Sequence, residues 1–385
     1  MLFSPLYSQL LGFTLYWRVD LGYFYETWKN WTYYIKLALK EEFSNSRKAI
    51  SYRDLTIIKL TNEDKQCGFG EIVGFETSWY IKETQSTSRE KLIKNINKIL
   101  KIKSQNEWNS FLDINLKDFP GLAFALDTAY VSLKAKKNKK SLKEYFNIKE
   151  NSINAGIVFG LLAKDDLIKK IDKAVEDGYK RVKIKVSVNT DIEIIKEIQK
   201  KHPDLVLCVD ANRSFELSDI EKLKELDDLN LKMIEEPFKN FDKDLYKKEI
   251  QNFKTDIFLD ETYETYEDIK NIISQKYCSG FTIKGCKIGR IERVIKIINL
   301  LKEKNYKFMI GSMFETSLGK SIHSYLATYS DFLAPDLSDY RRYFKNDILI
   351  KNLEVKNGKI ELVENIEIDE IILKKHCYDY KEYKV

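Results

Sequence analysis

Beyond Ile153 the chain alternates short apolar runs with amphipathic helical patterns, and this rhythm restricts its fold more than any other feature. The runs are INAGIVF, RVKIKVSV, LVLCVD, LKMIEE, DIFLDE, GFTIK, YKFMIGS and DFLAPD. Helical stretches of roughly ten to fifteen residues separate strands of this kind in parallel βα units, so eight of them predict a (β/α)-type barrel, placed here over residues 151–345. Ahead of the barrel, YYIKLALK, DLTIIKL and CGFGEIVG, from about Tyr33 to Gly74, read as a three-stranded meander. The helical patterns REKLIKNINKILK and GLAFALDTAYVSLKAKK follow, which predicts a small α+β domain over 32–150. Residues 346–385 form a C-terminal segment expected to return to that domain. Residues 1–31 are an extension.

The second run, RVKIKVSV, places Lys183 and Lys185 on one strand face, about 7 Å apart. Taken alone, a strand with one charged face is half-solvated. Its neighbours change the picture. The ionisable residues at the ends of successive strands are Lys185, Asp210, Glu235, Asp260 and Lys284, at steps of 25, 25, 25 and 24. One βα repeat separates each from the next, so all five fall at one height around one mouth of the barrel. Strand parity agrees, because Cys208 with Asp210, Met233 with Glu235, Phe258 with Asp260 and Thr282 with Lys284 share the inward faces.

Composition removes the main alternatives. The 65 basic and 59 acidic residues leave a net charge of +6, but the basic residues sit on helix faces beside acids, as in KDDLIKKIDKAVEDGYK. That is a solvated surface with no basic patch interleaved with aromatics, so nucleic acid is not an expected partner. Five cysteines without C-x-x-C spacing imply neither a disulfide framework nor a zinc cluster, and point to a reducing cytoplasm. The three histidines are dispersed, which argues against His-ligated zinc and a Ser-His-Asp site. The first seventeen residues are uncharged, yet they contain Pro5 and Gln9, lack a basic start and run straight into Arg18 and Asp20. No stable membrane insertion is expected.

Each acid alone has an ordinary role as a helix cap. Three at equal spacing repel one another in a barrel mouth, and a hard divalent cation, Mg²⁺, would relieve that repulsion. The ion and a neighbouring ammonium are expected to lower the pKa of a flanking lysine and make it a base. Such a site suits removal of a proton α to a carboxylate, with a small-molecule carboxylate as the partner.

The motifs KIK (Lys183, Lys185), DAN (Asp210 to Asn212), EEP (Glu235 to Pro237), DE (Asp260, Glu261) and IK (Ile283, Lys284), in this order, resemble the muconate lactonizing subgroup of the enolase superfamily. Within it the likeness is to the o-succinylbenzoate synthases, carried by FSNSRKAISYRDLTIIKL, GFGEIVGFETSWYIKET and DLSDYRRYFKNDI. The resemblance implies a modified TIM barrel under an N-terminal capping domain. It implies Mg²⁺ on Asp210, Glu235 and Asp260, with Glu235 rather than Glu236 as the ligand. Lys185 would be the base and Lys284 the opposed cation, while Lys183, Asn212 and, from GSMFET, Ser312, Met313 and Glu315 would bind substrate. The implied reaction is dehydration of 2-succinyl-6-hydroxy-2,4-cyclohexadiene-1-carboxylate to o-succinylbenzoate in menaquinone biosynthesis. The alternative is an N-acylamino acid racemase or dipeptide epimerase. A homo-oligomer is compatible with the sequence. After IKGCKIG the family usually has a second glycine, where this chain has Arg290, Ile291 and Glu292, so a different loop shape is expected there.

Overall fold

The structure is a computed structural model that describes residues 29–44, 49–240 and 242–384. The expected extension lies outside the described residues as far as position 28, and its last three residues are already strand. An antiparallel sheet is built from β1 (Lys29–Ser44), β2 (Ala49–Thr61), β3 (Cys67–Ile72) and β14 (Cys377–Lys384), in the order β14-β1-β2-β3. The first strand starts four residues before Tyr33, at Lys29. Hydropathy missed this start because Asn30 and Thr32, though polar, are fully buried.

The sheet packs on the helix Pro120–Lys137, around a core that includes Ile58, Leu60, Leu92, Trp108, Leu122 and Leu126. Two glycines of β3 allow the close approach, since a Cβ on Gly68 would sit 2.0 Å from Ala129 O and one on Gly70 1.8 Å from Ala125 O.

The second sheet has seven parallel strands in sequence order: β5 (Gly156–Phe159), β6 (Arg181–Lys185), β7 (Val206–Asp210), β8 (Met233–Glu235), β9 (Asp256–Leu259), β10 (Gly280–Ile283) and β11 (Lys307–Ile310). Period-two alternation sorts their side chains. Val209, Ile234, Leu259, Ile283 and Ile310 join the large apolar cluster that includes the helices. Cys208, Met233, Phe258 and Met309 form a separate cluster in the barrel interior. This is the inward parity read from the sequence. Ahead of the barrel, β4 (Ser152–Asn154) joins β12 (Val355–Lys356) and β13 (Lys359–Glu361) in a small sheet, in the order β12-β13-β4.

The eighth expected strand, DFLAPD, is not a strand. It closes the ring through single hydrogen bonds, Asp336 N–H donating to Ile310 O at 2.9 Å and Gly156 N–H to Leu337 O at 3.3 Å. Pro335 has no donor to give, and side chains occupy the flanking carbonyls: Arg181 Nε donates to Ala334 O at 3.1 Å and Ser312 Oγ to Asp336 O at 2.6 Å. The loop after β10 also departs from the usual glycine pattern. A short helix, Gly285–Ile288, ends at Gly289 (φ +102°), and Arg290 then pairs with Asp113 at 2.6 Å.

The antiparallel sheet is tied to the barrel by two buried side chains. Glu71 of β3 accepts from the N–H groups of Thr316 (3.1 Å) and Gly319 (3.0 Å), at the start of the helix Ser317–Ala327. Arg53 of β2 donates to Val73 O at 2.6 Å and to Phe314 O at 3.3 Å. Together they carry residues 73–80 to the mouth of the barrel. Among the described residues, no helix is long and apolar enough to cross a membrane.

Because backbone rather than a flexible side chain blocks any Cβ at Gly70, Gly70→Ala should separate β3 from its helix. The expected loss is about 1–3 kcal/mol, read as a lower urea midpoint. An unchanged midpoint would contradict the packing described.

Candidate active site

Lys183 and Lys185 point into the barrel mouth, as their spacing predicts, but they are not half-solvated. Lys183 is 2% exposed. Its ammonium donates to Glu235 Oε2 at 2.6 Å and Asp336 Oδ2 at 2.5 Å, and lies 3.6 Å from Asp210 Oδ2. Lys185 donates to Asp210 Oδ2 at 2.6 Å and to Asn212 Oδ1. On β10, Lys284 donates to Asp260 Oδ2 at 2.6 Å and to the Tyr80 hydroxyl. In a ring of seven strands and one closing segment, β6 and β10 stand four places apart, so Lys185 and Lys284 face each other across the mouth.

The two adjacent acids Glu235 and Glu236 have opposite fates. Glu236 is fully buried at φ +42° and saturated: Asp260 N–H donates to it at 2.8 Å, Thr262 N–H at 3.3 Å and Arg213 Nε at 2.8 Å. It braces the loops after β7, β8 and β9. Glu235 keeps its Oε1 buried and without a hydrogen-bond partner, as does Asp260 Oδ1.

Burial pushes Glu235 up to about 8, with Asp210, Asp260 and Asp336 adding to the rise and Lys183 only partly opposing it. Glu261, beside them, is raised to about 7 by burial and by Asp260. For Asp260 burial acts in the same sense, but Lys284 and Lys287 outweigh it and hold the carboxyl below its ordinary range. Asp210 is likewise lowered, by Lys185 and Lys183 against burial. Burial alone would lower Lys284, yet Asp260, Glu235 and Glu261 hold it well above the normal lysine value. Carboxylates thus surround the Lys284 ammonium and keep it charged, as suits the opposed cation expected there.

Among the described residues no three carboxylate, histidine or cysteine side chains already share a centre. Each of Asp210, Glu235 and Asp260 is turned toward a lysine instead. The donor chemistry nevertheless fits a hard cation: all-oxygen and buried, with Glu235 Oε1 lacking a hydrogen-bond partner and Asp260 Oδ1 met only by the Lys287 ammonium at 3.5 Å.

The pocket above this ring is lined by Lys183, Lys185, Asp210, Asn212, Lys284, Ser312 and Met313, which the sequence picked out. Glu235 and Asp260 lie behind it. Glu315 does not line the wall as expected. It is fully buried and accepts from Met313 N–H at 2.8 Å, because the chain turns inward there to begin a helix. The remaining wall is mostly aromatic, Phe75, Trp79 and Tyr80 from the N-terminal region with Phe314 and Tyr343 from the barrel, and is completed by Val158 and Asp336. Sequence reasoning gave no role to Tyr80 or to the Arg181 and Lys183 contacts of Asp336. Tyr80 sits in an aperiodic loop, and Asp336 in a segment that was read as a strand.

Three comparisons bear on this geometry. Residues 166–370 match the enolase C-terminal domain-like family. The o-succinylbenzoate synthase of Bacillus subtilis (strain 168) is 31% identical over 356 residues, covering 89% of this chain and 95% of that protein. The N-succinylamino acid racemase of Thermus thermophilus is 27% identical over 340 residues, covering 87% and 91%. A solved structure of an enolase superfamily member from Listeria innocua Clip11262 aligns with a TM-score of 0.85 at 28% identity, covering 94% of this chain and 99% of that one.

Glu235 and Glu236 should separate in stability measurements on the metal-free protein. A carboxyl whose pKa is raised on folding costs stability increasingly as pH climbs from its unfolded value, near 4.5, toward about 8. Glu235→Gln removes that cost, so its melting temperature at pH 7.5 should equal or exceed that of the wild type. Glu236→Gln should melt lower, since an amide cannot accept all the bonds Glu236 receives. The reverse order would refute the roles assigned to the two.

Proposed function

The chain belongs to the enolase superfamily, and on that premise we propose that it dehydrates 2-succinyl-6-hydroxy-2,4-cyclohexadiene-1-carboxylate to o-succinylbenzoate. One observation carries the reading: Lys185 and Lys284 oppose each other across a pocket whose carboxylates, Asp210 and Asp336, already engage lysines. Arg181 neutralises Asp336 further. Among the described residues, the pocket therefore offers ammonium groups to an acidic substrate and no free carboxylate to the ammonium of a dipeptide. That ordering favours a substrate with carboxylates and no amine.

In its neutral form Lys185 takes the proton from the carbon α to the ring carboxylate. The same nitrogen then delivers that proton to the departing hydroxyl, which leaves as water while the ring becomes aromatic. Both events lie on one face, so a single lysine serves both. Lys284, held charged by Asp260, stands on the other face as a cation over the forming π system. Lys183 adds positive charge beside the substrate carboxylate, and Asn212 fixes the Lys185 ammonium. Mg²⁺ held by Asp210, Glu235 and Asp260 would supply positive charge to the substrate carboxylate as the proton leaves. The position of Lys284 opposite Lys185 also supports a second reading, in which the two lysines exchange an α-proton on either face of an N-acylamino acid.

Turnover of the dehydration substrate should vanish in EDTA and return with added Mg²⁺. Lys185→Arg should abolish it, because guanidinium hardly deprotonates, whereas Lys284→Arg keeps the cation and should retain measurable dehydration. Equal loss in both variants would favour the racemase reading, and full turnover in EDTA would remove the metal from the account.

A further inference from the structure

Tyr80 reaches the barrel mouth from the N-terminal region, and no step described so far uses its hydroxyl. That hydroxyl donates to Asp260 Oδ2 at 2.5 Å and accepts from Lys284. The Lys284 ammonium lies 4.8 Å from the centre of the Tyr80 ring, on the side of the hydroxyl, so the residue meets the lysine through its oxygen. Asp260 therefore carries two donors on Oδ2, while buried Oδ1 makes no hydrogen bond and has the Lys287 ammonium 3.5 Å away.

The loop that delivers Tyr80 is fastened at both ends. Arg53 binds Val73 O and Phe314 O and stacks 4.3 Å from the Phe75 ring, and Thr84 caps the helix Gln85–Ile99 that follows. Between these anchors, Trp79 packs on Phe75 at 4.6 Å and on Tyr80 at 5.6 Å. The ring of Tyr80 thus has a packing role of its own, separable from the role of the hydroxyl.

We propose that Tyr80 is a positioning residue of the active site, whose hydroxyl locks Lys284 and Asp260 together so that Lys284 faces the substrate and Asp260 presents Oδ1 to the cation. The inference rests on the Mg²⁺-dependent reaction proposed above. A flexible lysine paired to one carboxylate oxygen alone can pivot about it. A third group bonded to both partners removes that freedom, which is how outer groups orient metal ligands. The site is consequently complete only when the loop is seated on the barrel through Arg53.

Tyr80→Phe keeps the ring and deletes the hydroxyl. Two readouts are needed: Mg²⁺ affinity by calorimetry without substrate, and kcat and KM for the dehydration. The variant should melt within experimental error of the wild type, bind Mg²⁺ about 10- to 100-fold more weakly and lose kcat by a similar factor, with KM little changed. If the wild type binds Mg²⁺ but does not dehydrate the substrate, the proposed reaction fails while weaker metal binding in Tyr80→Phe still upholds the positioning role. If the wild type dehydrates and Tyr80→Phe keeps both kcat and metal affinity, the role of Tyr80 is overturned alone. A wild type that binds no Mg²⁺ overturns both.

Discussion

Charge taken out of water must be met by opposite charge, and the mouth of this barrel is organised around that requirement. Lys183, Glu235 and Asp336 are all buried, and each of the three would be costly alone. Their mutual contacts make burial tolerable, though burial still disfavours the charged form of Glu235. Glu235 retains a raised pKa and an orphaned oxygen. These groups lie where the strands end and side chains from five successive βα units converge. A protein that needed only stability would fill such a position with apolar side chains. Retaining these charges makes sense where a cation and an anionic substrate complete the balance.

The N-terminal region shares the pocket's apolar wall with the barrel. Barrel strands bring charge, but the apolar wall of the pocket comes largely from residues 75–80 and from the loop held by Glu71 and Arg53. Those two ties are buried and bridge distant parts of the chain, so pocket shape depends on how the antiparallel sheet sits on the barrel. The N-terminal region and the barrel thus line one pocket together.

The barrel and its ring of charge were legible in the sequence because both are periodic. A βα unit repeats at nearly constant length, so equal spacing of Lys185, Asp210, Glu235, Asp260 and Lys284 translates into equal height, and strand parity assigns the inward face. What escaped was set by aperiodic contacts. The closing segment around Pro335 looks apolar enough for a strand, yet side chains take its carbonyls. The start of β1 was hidden by buried polar residues, and Glu315 turned inward because a helix begins beside it. Tyr80 owes its place to tertiary ties that no local pattern records. The charge state of Lys284 required knowing how many carboxylates surround it, a property of the folded ring and not of any single strand.

The central claim is that one lysine does the chemistry while its opposite holds charge. The most direct measurement follows an N-succinylamino acid and the dehydration substrate in parallel in deuterated water, by NMR. The account predicts fast conversion of the dehydration substrate to o-succinylbenzoate, with α-proton exchange of the amino acid slow or absent. Exchange with inversion at rates rivalling dehydration would contradict it, because Lys284 would then have to give up and take back a proton.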